Sequence, residues 1–298
     1  MTIVLALASG LMWGAADFFG GSASRRIPAL LVVLVSQAAG LAVALATAAL
    51  STAFSASAGY LPWALGAGLA GAGALVLYYR ALAIGTMGVV APIASLGVVV
   101  PVVIGLFAGA LPTALCLAGI VVAIAGVVAT AGPSRGSRDA KPGHALSVLM
   151  AIGSAAGFGL VLYAISRGAQ FSPVMTMVAM RVMSVPVLLA IAFATLRGRS
   201  EGARPPGQAA WRGALGTTVG AKLIVLVSAC GVLDVGANLL FGIATTSGAL
   251  AIVAVLGSMY PAGTVLLARF VDGERMSRVQ NAGVVAALAG VAMIAVGS

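Results

Sequence analysis

The chain has 298 residues, 61% of them hydrophobic and only 7% charged, with a net charge of +10 and a mean hydropathy of +1.16. A soluble domain carries about 25% charged residues because water must solvate its surface, so this composition excludes a soluble globule and makes lipid the solvent. Lipid leaves only helical bundles or closed barrels, and apolar runs of about 20 residues fit helices rather than short alternating strands.

Taken in chain order, the first five apolar runs span residues 2–22, 28–50, 61–83, 87–109 and 113–131. Asp17 interrupts the first run and no basic stretch precedes it, so it reads as a retained helix rather than a cleaved signal peptide. A polar stretch from Gly132 to Gly143 follows. The second five runs span 145–166, 173–196, 221–243, 248–268 and 278–297, with a basic, proline-containing loop over 197–212. These breaks at Gly, Pro, Ser and charge predict an all-α membrane protein of ten transmembrane helices. Cys116 and Cys230 lie inside apolar runs without a CxxC and read as packing residues.

The two halves repeat. At a shift of 160 positions Gly88, Ala91, Leu96 and Pro101 fall on Gly248, Ala251, Leu256 and Pro261, and Tyr78 falls on Asn238. Residues 121–127 match 285–291, Pro28 matches Pro173, and Trp13-Gly14 match Phe158-Gly159. The organisation is therefore a first five-helix repeat over 1–131, a linker over 132–144 and a second repeat over 145–298. An odd number of spans makes the second half enter the membrane opposite to the first. That is an inverted repeat, whose site is expected near midplane between the halves.

Thirteen of the 16 basic residues fall in or beside the connections after spans one, three, five, seven and nine; the opposite side holds only Arg167, and Arg181 and Lys222 lie within spans. By the positive-inside rule, both termini are expected outside the cytoplasm of a multi-pass cell (inner) membrane protein. The basic residues read as topology determinants and lipid head-group contacts, not as a nucleic-acid surface. Trp211 and Arg212 are expected at head-group level.

Residues 80–101, the Trp13-Gly14 pair, Gly273 to Ser277, and Gly283 with Ala289-Gly290-Val291 resemble the EamA-type members of the drug/metabolite transporter superfamily over nearly the whole chain. The resemblance implies ten helices as two inverted five-helix repeats around a central cavity. It also implies transport of amino acids, sugars, nucleosides or drugs, and a cavity lined by the first, third, fourth, sixth, eighth and ninth helices. The chain departs from the pattern where Gly109 to Thr113 lack a Gly-Glu dipeptide, and where Ser36-Gln37 replace a second-helix arginine that the second half keeps as Arg181. Relatives are expected to keep their termini in the cytoplasm, opposite to the charge count here.

An ionisable side chain inside the bilayer costs about 2.5–3.5 kcal/mol, so each needs a reason. Asp17 shares a helix face with Trp13; it either binds a substrate amine or a proton, or reaches interfacial water and Arg25 and Arg26. Asp234 and Asn238 share a face of the eighth helix and either read an ammonium or hydroxyl group or bond to neighbouring helices or Arg181. Tyr78 would face the same cavity by the repeat, or anchor at the interface. Arg181 either binds a substrate carboxylate or locks the bundle against Asp234 or a carbonyl. Gln37 either lines the cavity or bridges helices, and Lys222 snorkels to the basic side. Trp13, Phe158, Tyr163 and Tyr260 are candidate cavity walls or packing residues, and Pro101 and Pro261 are hinges or fixed kinks. Gly66, Gly68, Gly71 and Gly73 read as close helix contacts. Asp272, Glu274, Arg275 and Arg278 read as a surface ion-pair network.

Transport leads. The substrate is expected to be a small molecule, with amino acids first and hydrophobic cations or drugs second, and export is the direction of the relatives it resembles. Protons are a candidate co-substrate, and rocking of the two halves gives alternating access. A lipid flippase or channel subunit is the rival reading. An intramembrane enzyme ranks last: the only histidine, His144, lies in the linker, and neither Asp17 nor Asp234 has the glycine context of an aspartyl protease. No metal, nucleotide or cofactor motif occurs, so no cofactor is expected. The residues carry no signal for an oligomeric state.

Overall fold

The computed structural model describes residues 1–100, 104, 113–131, 143–197, 218–247, 253, 257, 260–273 and 277–297. Among these residues the long elements are ten α-helices: α1 Thr2–Ser24, α2 Ala29–Ala49, α3 Leu61–Ile84, α4 Met87–Ser95, α5 Ala114–Ala131, α6 His144–Gly168, α7 Pro173–Arg197, α8 Thr218–Ser247, α9 Tyr260–Phe270 and α10 Arg278–Gly297. Six described segments are long and apolar enough to cross a membrane: Thr2–Ser24, Ala29–Ala49, Ala58–Ile84, His144–Gly168, Pro173–Thr195 and Gly220–Thr246. The helices other than α4 and α9 begin and end within about one turn of the apolar runs. The runs 87–109 and 248–268 extend beyond the described residues, as do Pro101, most of the linker, Trp211, Glu274 and Arg275.

Local chemistry sets several boundaries. Pro62 sits in the first turn of α3 and Pro173 opens α7, positions where a missing N–H costs no intrahelical bond. Gly143 precedes α6 with φ 96°, a backbone conformation that favours glycine. Gly273 takes φ 67° after α9. Beyond Pro92 the α4 helix tightens into a 3₁₀ turn over Leu96–Val98.

Large apolar side chains point outward: Val4, Leu11, Leu69, Leu149 and Val225 are among the exposed ones. Small residues point inward, as expected where lipid solvates the outside and helices associate by close packing. On α5 and α10, a methyl on Gly119 would come within 2.6 Å of the Ile294 amide nitrogen, and one on Gly126 within 2.7 Å of the Gly283 carbonyl. Of the α3 glycines, Gly68 abuts Met180 and Met183 and Gly71 lies near Val161, whereas Gly66 and Gly73 have nothing within 4 Å. Only half of that run makes close contacts.

Packing runs across the two halves. The helix α1 lies on α8 and α9, α3 on α6 and α7, α2 on α7 and α8, α4 on α6, and α5 on α10. The helix ends sort onto two faces. On one face Arg25, after α1, pairs with Asp272, after α9, at 3.0 Å, and its Nε donates to the Leu82 carbonyl near the end of α3 at 3.4 Å. Gly85 and Ser147 meet on that face too. On the other, Gly59 meets Phe171, and Gln170 donates to the Thr245 carbonyl at 3.5 Å. Arg25, Arg26 and Arg269 share the first face, and Arg167 lies over Trp63 on the second. Asp272, read with Glu274, Arg275 and Arg278 as a surface ion-pair network, pairs with Arg25 across two connections, and Glu274 and Arg275 lie outside the described residues.

Candidate functional site

The middle of the bundle holds a cavity of about 80 Å³, room for about five to eight water molecules. Its walls come from α1, α3, α4 with its 3₁₀ turn, α6, α7, α8 and α9. Seven side chains singled out in the sequence line it: Trp13, Asp17, Phe158, Arg181, Asp234, Asn238 and Tyr260. They come from both halves and lie up to 247 positions apart, from Trp13 to Tyr260, so only the fold brings them together.

The polar wall is an ion pair set in a network. Arg181 donates from Nη2 to Asp234 Oδ2 at 2.6 Å and from Nη1 to Gln37 Oε1 at 2.7 Å. Ser184 donates to the same Gln37 oxygen at 2.9 Å, and Asn238 Nδ2 donates to Asp234 Oδ1 at 3.0 Å and to its carbonyl at 2.6 Å. Arg181 is 2% exposed. Burial of an isolated guanidinium here would be very costly, and the carboxylate and amide partners offset that cost. Its Nε has no hydrogen-bond partner among the described residues and lies against Gly40. Of the two readings of Arg181, the lock against Asp234 is the one present, and Gln37 bridges helices.

Asp17 stands apart from this network. It is 8% exposed, and its Oδ2 accepts a 2.9 Å hydrogen bond from the Tyr78 hydroxyl. Arg25 does not reach it, being held by Asp272. Tyr78 itself is fully buried behind the cavity wall, edge-on to Phe158 at 5.4 Å and beside Tyr79 at 5.8 Å. It is not an interfacial anchor. The aromatic wall is Trp13 with Phe241 at 5.5 Å and Tyr260 at 6.3 Å.

Two of the singled-out tyrosines lie outside the cavity lining. Tyr163 does not line the cavity: it sits edge-on to Trp63 at 5.9 Å, between α6 and the start of α3. Tyr78 contributes its hydroxyl to Asp17 rather than a face to the cavity. Pro261 is buried in α9, and Lys222 is exposed near the start of α8. Phe241 and Tyr79 went unremarked in the sequence. Phe241 follows Asn238 by three residues and so shares its helix face, a spacing that could have revealed it. Tyr79 meets Cys230 Sγ at 3.1 Å and packs over Gly20, filling the bundle between Asp17 and the Arg25 face.

Residues 145–296 match the EamA-like transporter family. A solved structure described only as "Crystal structure of protein" is similar over 98% of this chain and 95% of its own, with a TM-score of 0.60 at 17% sequence identity, a likeness of fold. No curated protein matches. On the family match, which covers the second half together with its cavity residues Phe158, Arg181, Asp234, Asn238 and Tyr260, this chain belongs to the EamA-like transporter family of the drug/metabolite transporter superfamily.

Proposed function

We propose that this membrane transporter carries small metabolites, amino acids first, by alternating access of two inverted five-helix repeats to the central cavity. The carrying observation is a mixed polar and aromatic cavity at the junction of the halves. The packing supports the repeat. If first-half helices are exchanged for their second-half counterparts, α1 on α8 becomes α6 on α3, α1 on α9 becomes α6 on α4, and α5 on α10 maps to itself. Close contacts obey the same exchange. Gly14 abuts the Tyr260 carbonyl while Gly159 abuts the Gly97 carbonyl, and Gly126 abuts Ala287 while Gly290 abuts Ala123.

The reading takes ten spans, with α4 and α5 completing the first half's five and α9 and α10 the second's. The two faces of helix ends then correspond to the two sides of the membrane. The face that carries Arg25 and Arg26 is the cytoplasmic one by charge, which leaves both termini outside. Rocking of one half against the other would open the cavity to each side in turn, with Pro101 and Pro261 as hinge positions. The substrate site comprises Trp13, Asp17, Phe158, Asp234, Asn238 and Tyr260, with Arg181 holding Asp234.

A second substrate class has a specific observation in its favour. Arg181 is already paired with Asp234 and held by Gln37, so its charge is compensated before any substrate carboxylate arrives. Hydrophobic cations need only a carboxylate and rings, which Asp17, Trp13 and Tyr260 offer. The test is uptake of labelled amino acids and of a labelled organic cation into liposomes, with wild type beside Trp13→Ala. Saturable uptake that weakens in Trp13→Ala supports the reading. Flux of neither class by folded protein removes it in favour of lipid or channel function.

A further inference from the structure

Resting on the reading of the cavity as a transport site, we propose that Asp17, positioned by Tyr78, is where an ammonium-bearing substrate exchanges for a proton, one for one. The cavity holds two carboxylates and one guanidinium. Asp234 is satisfied: Arg181 takes one oxygen at 2.6 Å and Asn238 the other at 3.0 Å. Asp17 has a single hydroxyl donor, and among the described residues no cation pairs with it. A carboxylate so placed in the membrane interior needs either a proton or a cation.

Among the described residues, the surroundings leave no internal source for that positive charge. Asp17 is the only ionisable side chain of α1, and α2 contributes none. From α8 it is faced by Asp234 and Cys230, from α3 by Tyr78 and Tyr79, and from α9 by Tyr260. Arg181 is compensated by Asp234, and Arg25 lies beyond the helix end on Asp272. Trp13, one turn before Asp17 and 6.3 Å from Tyr260, supplies ring faces for the cation.

The step balances without a co-reactant. In the empty cavity Asp17 is a carboxylic acid. When an ammonium group arrives, the carboxyl O–H bond breaks heterolytically and the proton leaves through cavity water to the compartment that delivered the substrate. The carboxylate then holds the ammonium by charge and hydrogen bonds, with no covalent bond to it. Release on the far side takes up a proton there. Tyr78, whose ring touches Phe158 and Tyr79, keeps the carboxylate turned to the cavity.

The test uses purified full-length protein in weakly buffered detergent with tetramethylammonium, a cation with no proton to give. One proton released per cation bound is expected from wild type, retained in Asp17→Glu and absent in Asp17→Asn. In Tyr78→Phe, release persists at one proton per cation but half-saturation needs several-fold more cation, because the hydroxyl that holds the carboxylate towards the cavity is lost. Asp272→Asn behaves as wild type. No release from folded wild type, or equal release from Asp17→Asn, overturns the proposal. Amino-acid uptake into liposomes is measured separately. Uptake without proton counter-movement removes the exchange and leaves the transport reading. Proton release without uptake keeps Asp17 as the cation site and discards amino acids.

Discussion

Arg181 on α7 and Asp234 on α8 form an ion pair at 2.6 Å inside the bundle, with side chains 3% and 15% exposed. The pair joins two helices of the second half and, through Gln37 and Ser184, ties them to α2 of the first. It gives the cavity a polar wall whose charge is already balanced, which leaves Asp17 as the cavity's one carboxyl without a cation among the described residues.

Removing one partner of this pair strands the other. Arg181→Met is expected to destabilise the protein by about 3–5 kcal/mol, whereas the double variant Arg181→Met with Asp234→Leu regains most of the loss. Unfolding followed by circular dichroism in detergent reads both. A single variant as stable as wild type would show the pair to be dispensable.

The aromatic residues divide by position. Phe158→Ala opens the cavity wall and should raise KM several-fold in the uptake assay, while Tyr163→Ala, outside the cavity, should leave KM within error. Equal effects of the two would argue that the cavity is not where solute binds.

The crossing of α5 and α10 makes a paired prediction. Gly126→Val and Gly290→Val each force a side chain into the opposite backbone and should cost about 1–3 kcal/mol or more. Gly73→Ala, with nothing within 4 Å, should be neutral or better. Thermal unfolding of the three variants checks the ordering, and a destabilised Gly73→Ala beside an unaffected Gly290→Val would reverse it.

Sidedness can be read in intact cells, because both native cysteines are buried. Gln170→Cys should react with a membrane-impermeant maleimide from outside, and Arg26→Cys only after permeabilisation. The opposite pattern would place the basic face outside.

The helices were legible because the bilayer sets the length of an apolar run that crosses it, and six described segments meet that length. The cavity residues were partly legible for a related reason: Asp17, Arg181 and Asp234 are costly in lipid and stand out at once. Their pairing was not legible. Whether Gln37 lines a cavity or bridges helices depends on α2 lying against α7, and no single helix carries that information. Aromatic residues were the weakest signal, since Tyr163 and Tyr78 look alike in sequence. Only the packing sends one to Trp63 and the other to Asp17. Cys230 reads as filler and Tyr79 goes unremarked for the same reason, yet they meet between α3 and α8.

The central claim is that one cavity serves both membrane faces in turn. Ser95 lines that cavity and bonds only its own helix, through the Pro92 carbonyl at 2.7 Å, so Ser95→Cys in a Cys116→Ala, Cys230→Ser background is a mild probe. In oriented liposomes, a membrane-impermeant thiol reagent is applied from each face, with and without transported solute. The account predicts modification from both faces, with solute shifting the ratio of the two rates. Modification from a single face under every condition would contradict it.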